Sequence, residues 1–406
     1  MPAIKVCILS KGLYKACVFC KDLRIQMKLK HILLIYREMI PSIRLCGHCQ
    51  LEYLAEQEKA EYRCVQEMKL KAKDLNWADI ILLGRWDNWY EYRLAELLKN
   101  AGKYLAYIID DDLLNVPHEI SSAAYFAQED IQNYIRGTME LCDCIISPSP
   151  RLLEKYSSNK KGIQIEEPVL FPVEYVRHDN HLPVRIGFAG SIDRAYDIEE
   201  ILRQALINIK DKYEESVEIF FYGVIPSFAS RLKAVCIPYT DSYDQYRKKL
   251  NEMAWDIGLA PMPDTPFHAC KHYNKFIEYA AAGAVGVFSD VYPYTRLKGI
   301  PDCAVFCDNS SQSWERELSR LIEDDDQRER YREQVTRCSK EYFSIPLAAL
   351  ALERDLLQLS LQNQYGVLKD RQLISLRLRY ILKRLIKKTR NYGIRGAFRA
   401  ALKKLA

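Results

Sequence analysis

Lys271, Asn274, Lys275 and Glu278 fall at short spacing in Phe267-His-Ala-Cys-Lys-His-Tyr-Asn-Lys-Phe-Ile-Glu278, and the small, apolar run Tyr279-Ala-Ala-Ala-Gly283-Ala-Val-Gly-Val-Phe-Ser289 follows at once. This pattern predicts a loop carrying Lys271, a helix over 273–282 ended by Gly283, and a buried parallel strand over 285–288. Residues 255–261 read as the preceding strand, completing a strand–loop–helix–strand unit. A helix that starts at the carboxyl edge of a parallel sheet presents unpaired N–H groups and positive dipole, a setting suited to a diphosphate. Tyr273 and Asn274 open that helix, and Lys271 and Lys275 add charge. Glu278 lies one turn beyond Asn274 and places a carboxylate where ribose hydroxyls would fall. The alternative is an ordinary helix of an α/β sheet with solvated lysines.

Other residues invite chemistry with less specificity. Gly187-Phe-Ala-Gly190-Ser191 is a strand end with two glycines, short of a full dinucleotide fingerprint, and Arg194 follows it. Asp110-Asp111-Asp112 closes another apolar run, where three adjacent carboxylates need a partner or solvent to offset their repulsion. They read either as a Mg²⁺ or Mn²⁺ site bridging a diphosphate, or as solvated acids capping the next segment. Lys11 and Gly12 end the apolar run at 4–9, where a glycine lets backbone approach a ligand. Cys17-x2-Cys20 and Cys46-Gly-His-Cys49 have zinc-like internal spacing, but the gap between the pairs exceeds the usual range, and buried free thiols explain them as well. His118, His268 and His272 have no spacing to a Ser or Cys nucleophile, so no triad is expected.

Three segments, Val184-Arg-Ile-Gly-Phe-Ala-Gly-Ser191, Ala254-Trp-Asp-Ile-Gly-Leu-Ala-Pro261 and Lys271 through Ser289, make the chain resemble retaining GT-B glycosyltransferases of the family-4 type. The resemblance covers the C-terminal half; the N-terminal half joins it through strand spacing. It implies that Glu278 is the second carboxylate of a Glu-x7-Glu motif contacting the donor nucleotide. Cys270 stands at the place of the first, and a thiol does not replace a carboxylate there. Also implied are phosphate contacts from Arg194 and Lys271 beside Gly190 and Ser191, a base seated near Tyr222, Gly223 and 239–241, and a cleft faced by Asp110, Asp111 and Asp112. Lys11, Gly12 and Asp112 would then lie on the acceptor side, with Asp110, Asp111, Lys271 and Glu278 as the catalytic set. The expected activity is metal-independent, retaining transfer from a nucleotide sugar to a saccharide or lipid-linked saccharide during cell-surface polysaccharide assembly. No cofactor is expected. A metal-dependent transferase built on Asp110–Asp112, or a non-catalytic sugar-nucleotide or glycan scaffold, are the alternatives.

The elements needed to position these groups are legible as rhythm. Strands are predicted over 4–9, 31–36, 79–83, 104–109 and 144–147, with helical stretches over 53–73 and 90–99. The alternation restarts with strands over 184–189, 217–222, 235–239, 257–260, 285–288 and 304–306, and helices over 198–210, 243–253, 273–282 and 313–323. The fold class expected is α/β: two Rossmann-like, doubly wound parallel-sheet domains, 1–172 and 183–345, joined through a proline-marked hinge at 166–172. A closing helical segment, 346–366, and a basic amphipathic tail, 367–406, complete the chain.

With 406 residues, 49% hydrophobic and 28% charged, the chain has room for two domains. Nothing near its start resembles a signal peptide, and no stretch reaches the roughly 20 apolar residues of a spanning helix. A cytoplasmic protein with reduced thiols is expected. The formal charge is +5, yet Lys369 to Ala406 holds 13 Lys/Arg and one acid, Asp370. Within it Ile374, Leu378, Ile381 and Leu385 form an apolar stripe, and Phe398, Leu402 and Leu405 a shorter second one. This reads as an anchor on the anionic inner face of a membrane, against a helix docked on the body or a nucleic-acid site; no nucleic-acid partner is expected.

Overall fold

The computed structural model describes residues 29–171, 183–361 and 365–402. Its core is two six-stranded sheets, every pairing parallel. The first has the order β2-β1-β3-β4-β5-β6, from β1 (Lys30–Tyr36), β2 (Ala60–Gln66), β3 (Ile80–Gly84), β4 (Tyr104–Ile108), β5 (Cys144–Ser147) and β6 (Lys161–Gln164). The second has the order β12-β11-β10-β7-β8-β9, from β7 (Val184–Ala189), β8 (Val217–Gly223), β9 (Val235–Pro238), β10 (Ile257–Ala260), β11 (Val285–Ser289) and β12 (Val305–Cys307). Both are doubly wound, as the alternation of strands and helices predicts.

Central strands such as β3, β10 and β11 are buried along their whole length, because helices cover both faces. Their sequences are therefore unbroken apolar runs. The predicted strand at 4–9, with Lys11 and Gly12, lies outside the described residues, as do Cys17 and Cys20. The helix predicted over 53–73 is corrected: Cys49–Glu56 is helical, and Ala60–Gln66 is an edge strand pairing with β1 along its length. The physical reason is alternation. In Ala-Glu-Tyr-Arg-Cys-Val-Gln the period is two, and only one edge of this strand finds a partner. The predicted helix over 198–210 is two, Ala195–Ile201 and Arg203–Tyr213.

Local signals fix the helices that matter below. Asn88 caps Trp89–Asn100, accepting from the backbone N–H of Tyr90 and Glu91, while Glu91 accepts from Asn88 N–H. Gly283 ends Asn274–Ala282 with φ 73°, a left-handed conformation that a side chain would strain. Beyond the second sheet, Asp325–Tyr342 leads to Ile345–Leu352, whose Ala349 and Leu352 join Leu356 and Leu357 in the core under β1. The C-terminal chain thus returns to the first sheet. Asp370–Leu402 then runs along the outside of Trp89–Asn100, with Leu373 buried and the Tyr380 ring tilted against that of Tyr90, centroids 5.5 Å apart.

Candidate functional site

The carboxyl edge of the second sheet is built around two glycines. Gly223, with φ 89°, ends β8, and a Cβ there would lie 2.3 Å from the carbonyl oxygen of Gly190 at the end of β7. Gly190 N–H in turn donates to Tyr222 O at 2.9 Å. Only bare backbone permits this approach, and it opens a cleft of about 160 Å³ beside Ser191, Tyr239, Thr240 and Asp241. Tyr222 is buried at the cleft wall and donates to Thr240 Oγ1 at 2.8 Å. At the far end, Glu278 accepts from Tyr246 OH at 2.7 Å and pairs with Lys275. Pro41, from the turn after β1, lines the same cleft from the first sheet's side.

The first turn of Asn274–Ala282 carries no side-chain cap, so the N–H groups ahead of Phe276, whose own donates to Tyr273 O at 2.9 Å, are left for a partner. Tyr273 and His272 are buried around it, and His272 Nδ1 sits 2.8 Å from Asn274 Oδ1. Just ahead of the helix, Lys271 crosses between the sheets and donates to Asp111 Oδ1 at 2.8 Å. Burial would push the Asp111 carboxyl up, but Lys271 and Arg85 outweigh it and hold the group at about 2.

Each carboxylate of the Asp110–Asp112 run has a different cationic partner. Arg85 donates to Asp110 at 2.8 Å, Lys271 holds Asp111, and Lys155 holds Asp112, which Tyr156 and Asn115 also contact. Arg85 also lies 3.5 Å from Asp111, so Asp110 and Asp111 share one guanidinium, while Asp112 is held separately by Lys155. Arg194 pairs through Nε with Asp197 at 2.8 Å and donates to Pro261 O at 2.6 Å. His268 bonds Thr265 Oγ1 through Nδ1; burial, Arg194 and Lys271 together lower it to about 3, so its ring is neutral. Cys270 is buried against the first domain's core, its Sγ 4.0 Å from Asp112 Oδ2. His118 is an exposed loop residue.

Sequence reasoning missed Arg85 and the Glu166–Glu167 pair. Arg85 follows β3 directly, and the rule that ligands gather at strand carboxyl ends would have flagged it. Glu166 and Glu167 lie in the linker leaving β6. Arg296 donates to Glu166 at 2.7 Å and Tyr273 OH bonds the same carboxylate. Glu167 is fully buried; it accepts from Cys46 Sγ at 3.1 Å, and burial raises it to about 7. Cys46 therefore faces a carboxylate, and among the described residues no cluster of three metal-ligating side chains occurs.

The tail helix separates two faces. Leu373, Arg377 and Tyr380 meet the first domain, with Arg377 donating to Glu67 O at 3.2 Å and to Leu70 O. The predicted stripe Ile374, Leu378, Ile381 and Leu385 points away from it and is exposed, together with Leu382 and Ile386. Among the described residues no helix is long and apolar enough to cross a membrane.

No protein-family model matches the sequence, and no curated protein matches it significantly. Solved structures do. Sucrose-phosphate synthase from Thermosynechococcus elongatus superposes with a TM-score of 0.56 at 12% identity, over 80% of this chain and 98% of that one. HepE from Anabaena, in complex with UDP and glucose, gives 0.54 at 12% identity, over 81% and 99%. A trehalose-6-phosphate structure from E. coli, bound with UDP-2-fluoro glucose, gives 0.52 at 10% identity, over 82% and 100%. The two parallel sheets and these likenesses show that the fold is GT-B.

Proposed function

We propose that this GT-B chain is a glycosyltransferase that moves a sugar from a nucleotide-sugar donor to a saccharide or lipid-linked saccharide in cell-surface polysaccharide assembly. The observation that carries the reading is the continuous line from the Gly190–Gly223 cleft, past Glu278 and Lys275, to the uncapped helix start and Lys271. Its length and polarity suit a base, a ribose and a diphosphate in that order. Tyr239 offers an exposed ring to the base, Glu278 a carboxylate to ribose hydroxyls, and Lys271 with the Tyr273–Lys275 N–H groups a seat for phosphate oxygens. HepE, a protein of the same fold, is solved in complex with UDP and glucose, which supports a nucleotide-sugar donor for this chain.

In the mechanism, charge develops on the departing diphosphate, and Lys271 and Arg194 stabilise it without a metal. Asp110 and Asp111 close β4 at the cleft, where a carboxylate would orient the incoming hydroxyl, and Asp112 is held apart from them by Lys155, Tyr156 and Asn115. Retention of configuration belongs to the same reading. The decisive variant is Lys271→Ala: transfer from the best donor of a UDP-, GDP- and dTDP-sugar panel should fall by roughly 10²-fold or more. Near-normal turnover would remove the phosphate assignment. Cys270 in place of an acidic residue favours a second reading, a non-catalytic binder, which would show no slow donor hydrolysis with any sugar of that panel. The exposed stripe on Asp370–Leu402, flanked by Arg379, Lys383 and Arg384, supports peripheral attachment to an anionic membrane on the cytoplasmic side.

A further inference from the structure

The cations of the proposed diphosphate seat are all occupied by carboxylates of the protein. Arg85 holds Asp110, Arg194 holds Asp197, and Lys271 holds Asp111, so the locus as it stands is neutral. The three anions differ in how firmly they are kept. Asp110 and Asp197 are 8% and 4% exposed, each bound to an arginine of its own domain, whereas Asp111 is 28% exposed and its lysine belongs to the opposite sheet. Arg85 also lies 3.5 Å from Asp111, so this one carboxylate stands between cations of both domains. Arg85 itself has φ 53°, an uncommon backbone conformation for a side chain with a Cβ, and its N–H is tied to Ile108 O at 3.1 Å. The chain bends there at a conformational cost and turns the guanidinium toward Asp110 and Asp111.

We propose that Arg85 is a third cation of the diphosphate seat, contributed by the acceptor domain, and that Asp111 is an internal anion filling that seat until a donor displaces it. This rests on the donor reading above. An incoming diphosphate carries two or more negative charges, and it cannot share Lys271 and Arg85 with a carboxylate a few ångströms away without strong repulsion. Asp111 is the group able to leave, since its exposure lets water take over its solvation. Its depressed titration means that acidification does not release it at ordinary pH; an anion must. Once displaced, the carboxylate remains at the end of β4, facing the cleft from the acceptor side, so donor arrival and exposure of this group become one event.

The test is calorimetric titration of the full chain with inorganic pyrophosphate and with UDP, in wild type, Asp111→Asn, Asp111→Ala and Arg85→Gln, with melting curves to establish folding. Removing the competing charge should tighten pyrophosphate binding by about tenfold in either folded Asp111 variant, and Arg85→Gln should weaken it by a similar factor. Affinity in the Asp111 variants within twofold of wild type, or weaker, overturns the displacement; unchanged affinity in Arg85→Gln removes Arg85 from the seat. If wild type binds UDP and only the Asp111 effect is missing, the donor reading stands and the exchange falls. If neither wild type nor the Asp111 variants bind pyrophosphate or UDP, nor GDP or dTDP titrated in the same way, the donor reading fails and the exchange with it.

Discussion

Glu167 sits where linker and both sheets meet, faced by the Cys46 thiol, His272, Glu166 and Asp110. Burial raises it from an ordinary carboxyl value of 4.5 to about 7, so between those pH values the folded state keeps a proton that the unfolded chain has released. Stability should therefore decline as pH rises from about 4.5 through 7 and level off above, by at most on the order of 3 kcal/mol. Asp111 has the opposite sign: its contribution is present above about 4 and is lost only as pH falls through about 2, so it is silent over the same window. Glu167→Gln keeps the shape and the acceptor for Cys46 while removing the charge. Its melting temperature should fall less than that of wild type between pH 5 and pH 8; parallel slopes would assign the pH response to another group. At this scale Lys271, Glu278, Gly190 and Gly223 were legible, because strand-end glycines and a charged helix start leave marks in local order. Glu167 was not, since what defines it is the approach of the Cys46 thiol from 121 positions away, and Arg85, though at a strand end, shows its role only through Asp110, 25 positions on. Cys270 was legible as a departure, but its packing against the first domain's core was not.

Elements were readable in proportion to how completely they are buried. All six strands of the second sheet were located within one or two residues, and the central ones are two-sided apolar runs. Edge strands β2 and β6 carry Glu61, Arg63, Lys161 and Gln164, and that polarity concealed them. The tail helix shows a further limit: its strongest apolar stripe was read correctly as a stripe, but the face that docks is a neighbouring one. Leu373 and Tyr380 touch the body, while Leu378 and Ile381 remain exposed. The two faces make separable predictions. Leu378→Glu with Ile381→Glu should abolish co-sedimentation with phosphatidylserine vesicles and leave the melting temperature within about a degree, since surface changes are worth about 0.5 kcal/mol or less. Leu373→Ala empties a buried site and should cost about 2–5 kcal/mol of stability. Loss of vesicle binding only in the second variant would show that docking, rather than the exposed stripe, governs any attachment.

At the scale of the molecule, the carboxyl edges of the two sheets meet across one cleft, and several polar contacts span it, among them Arg296, which donates to Pro148 O at 3.2 Å and to Glu166 at 2.7 Å. Lys271–Asp111 is partly buried, Ser121 N–H donates to Asp193 at 2.8 Å, and Arg44 grips Asp244 with two contacts of 2.8 Å. These do not weigh equally. The Asp244 side chain is 64% exposed, so its ion pair is screened by water and contributes about 0–1 kcal/mol despite good geometry. Arg44→Ala should then shift the balance of open and closed forms by no more than about fivefold, the factor equivalent to 1 kcal/mol. The shift should appear as a larger radius of gyration in small-angle scattering at low salt. Because the Debye length is about 10 Å at 0.1 M salt and about 3 Å at 1 M, raising salt should open the wild type toward the variant and move the variant less. Equal salt responses in both proteins would place the screened interaction elsewhere, with Lys271–Asp111 the first to examine. That outcome would also bear on the donor site, because a contact that spans the two sheets would then be one a diphosphate has to break.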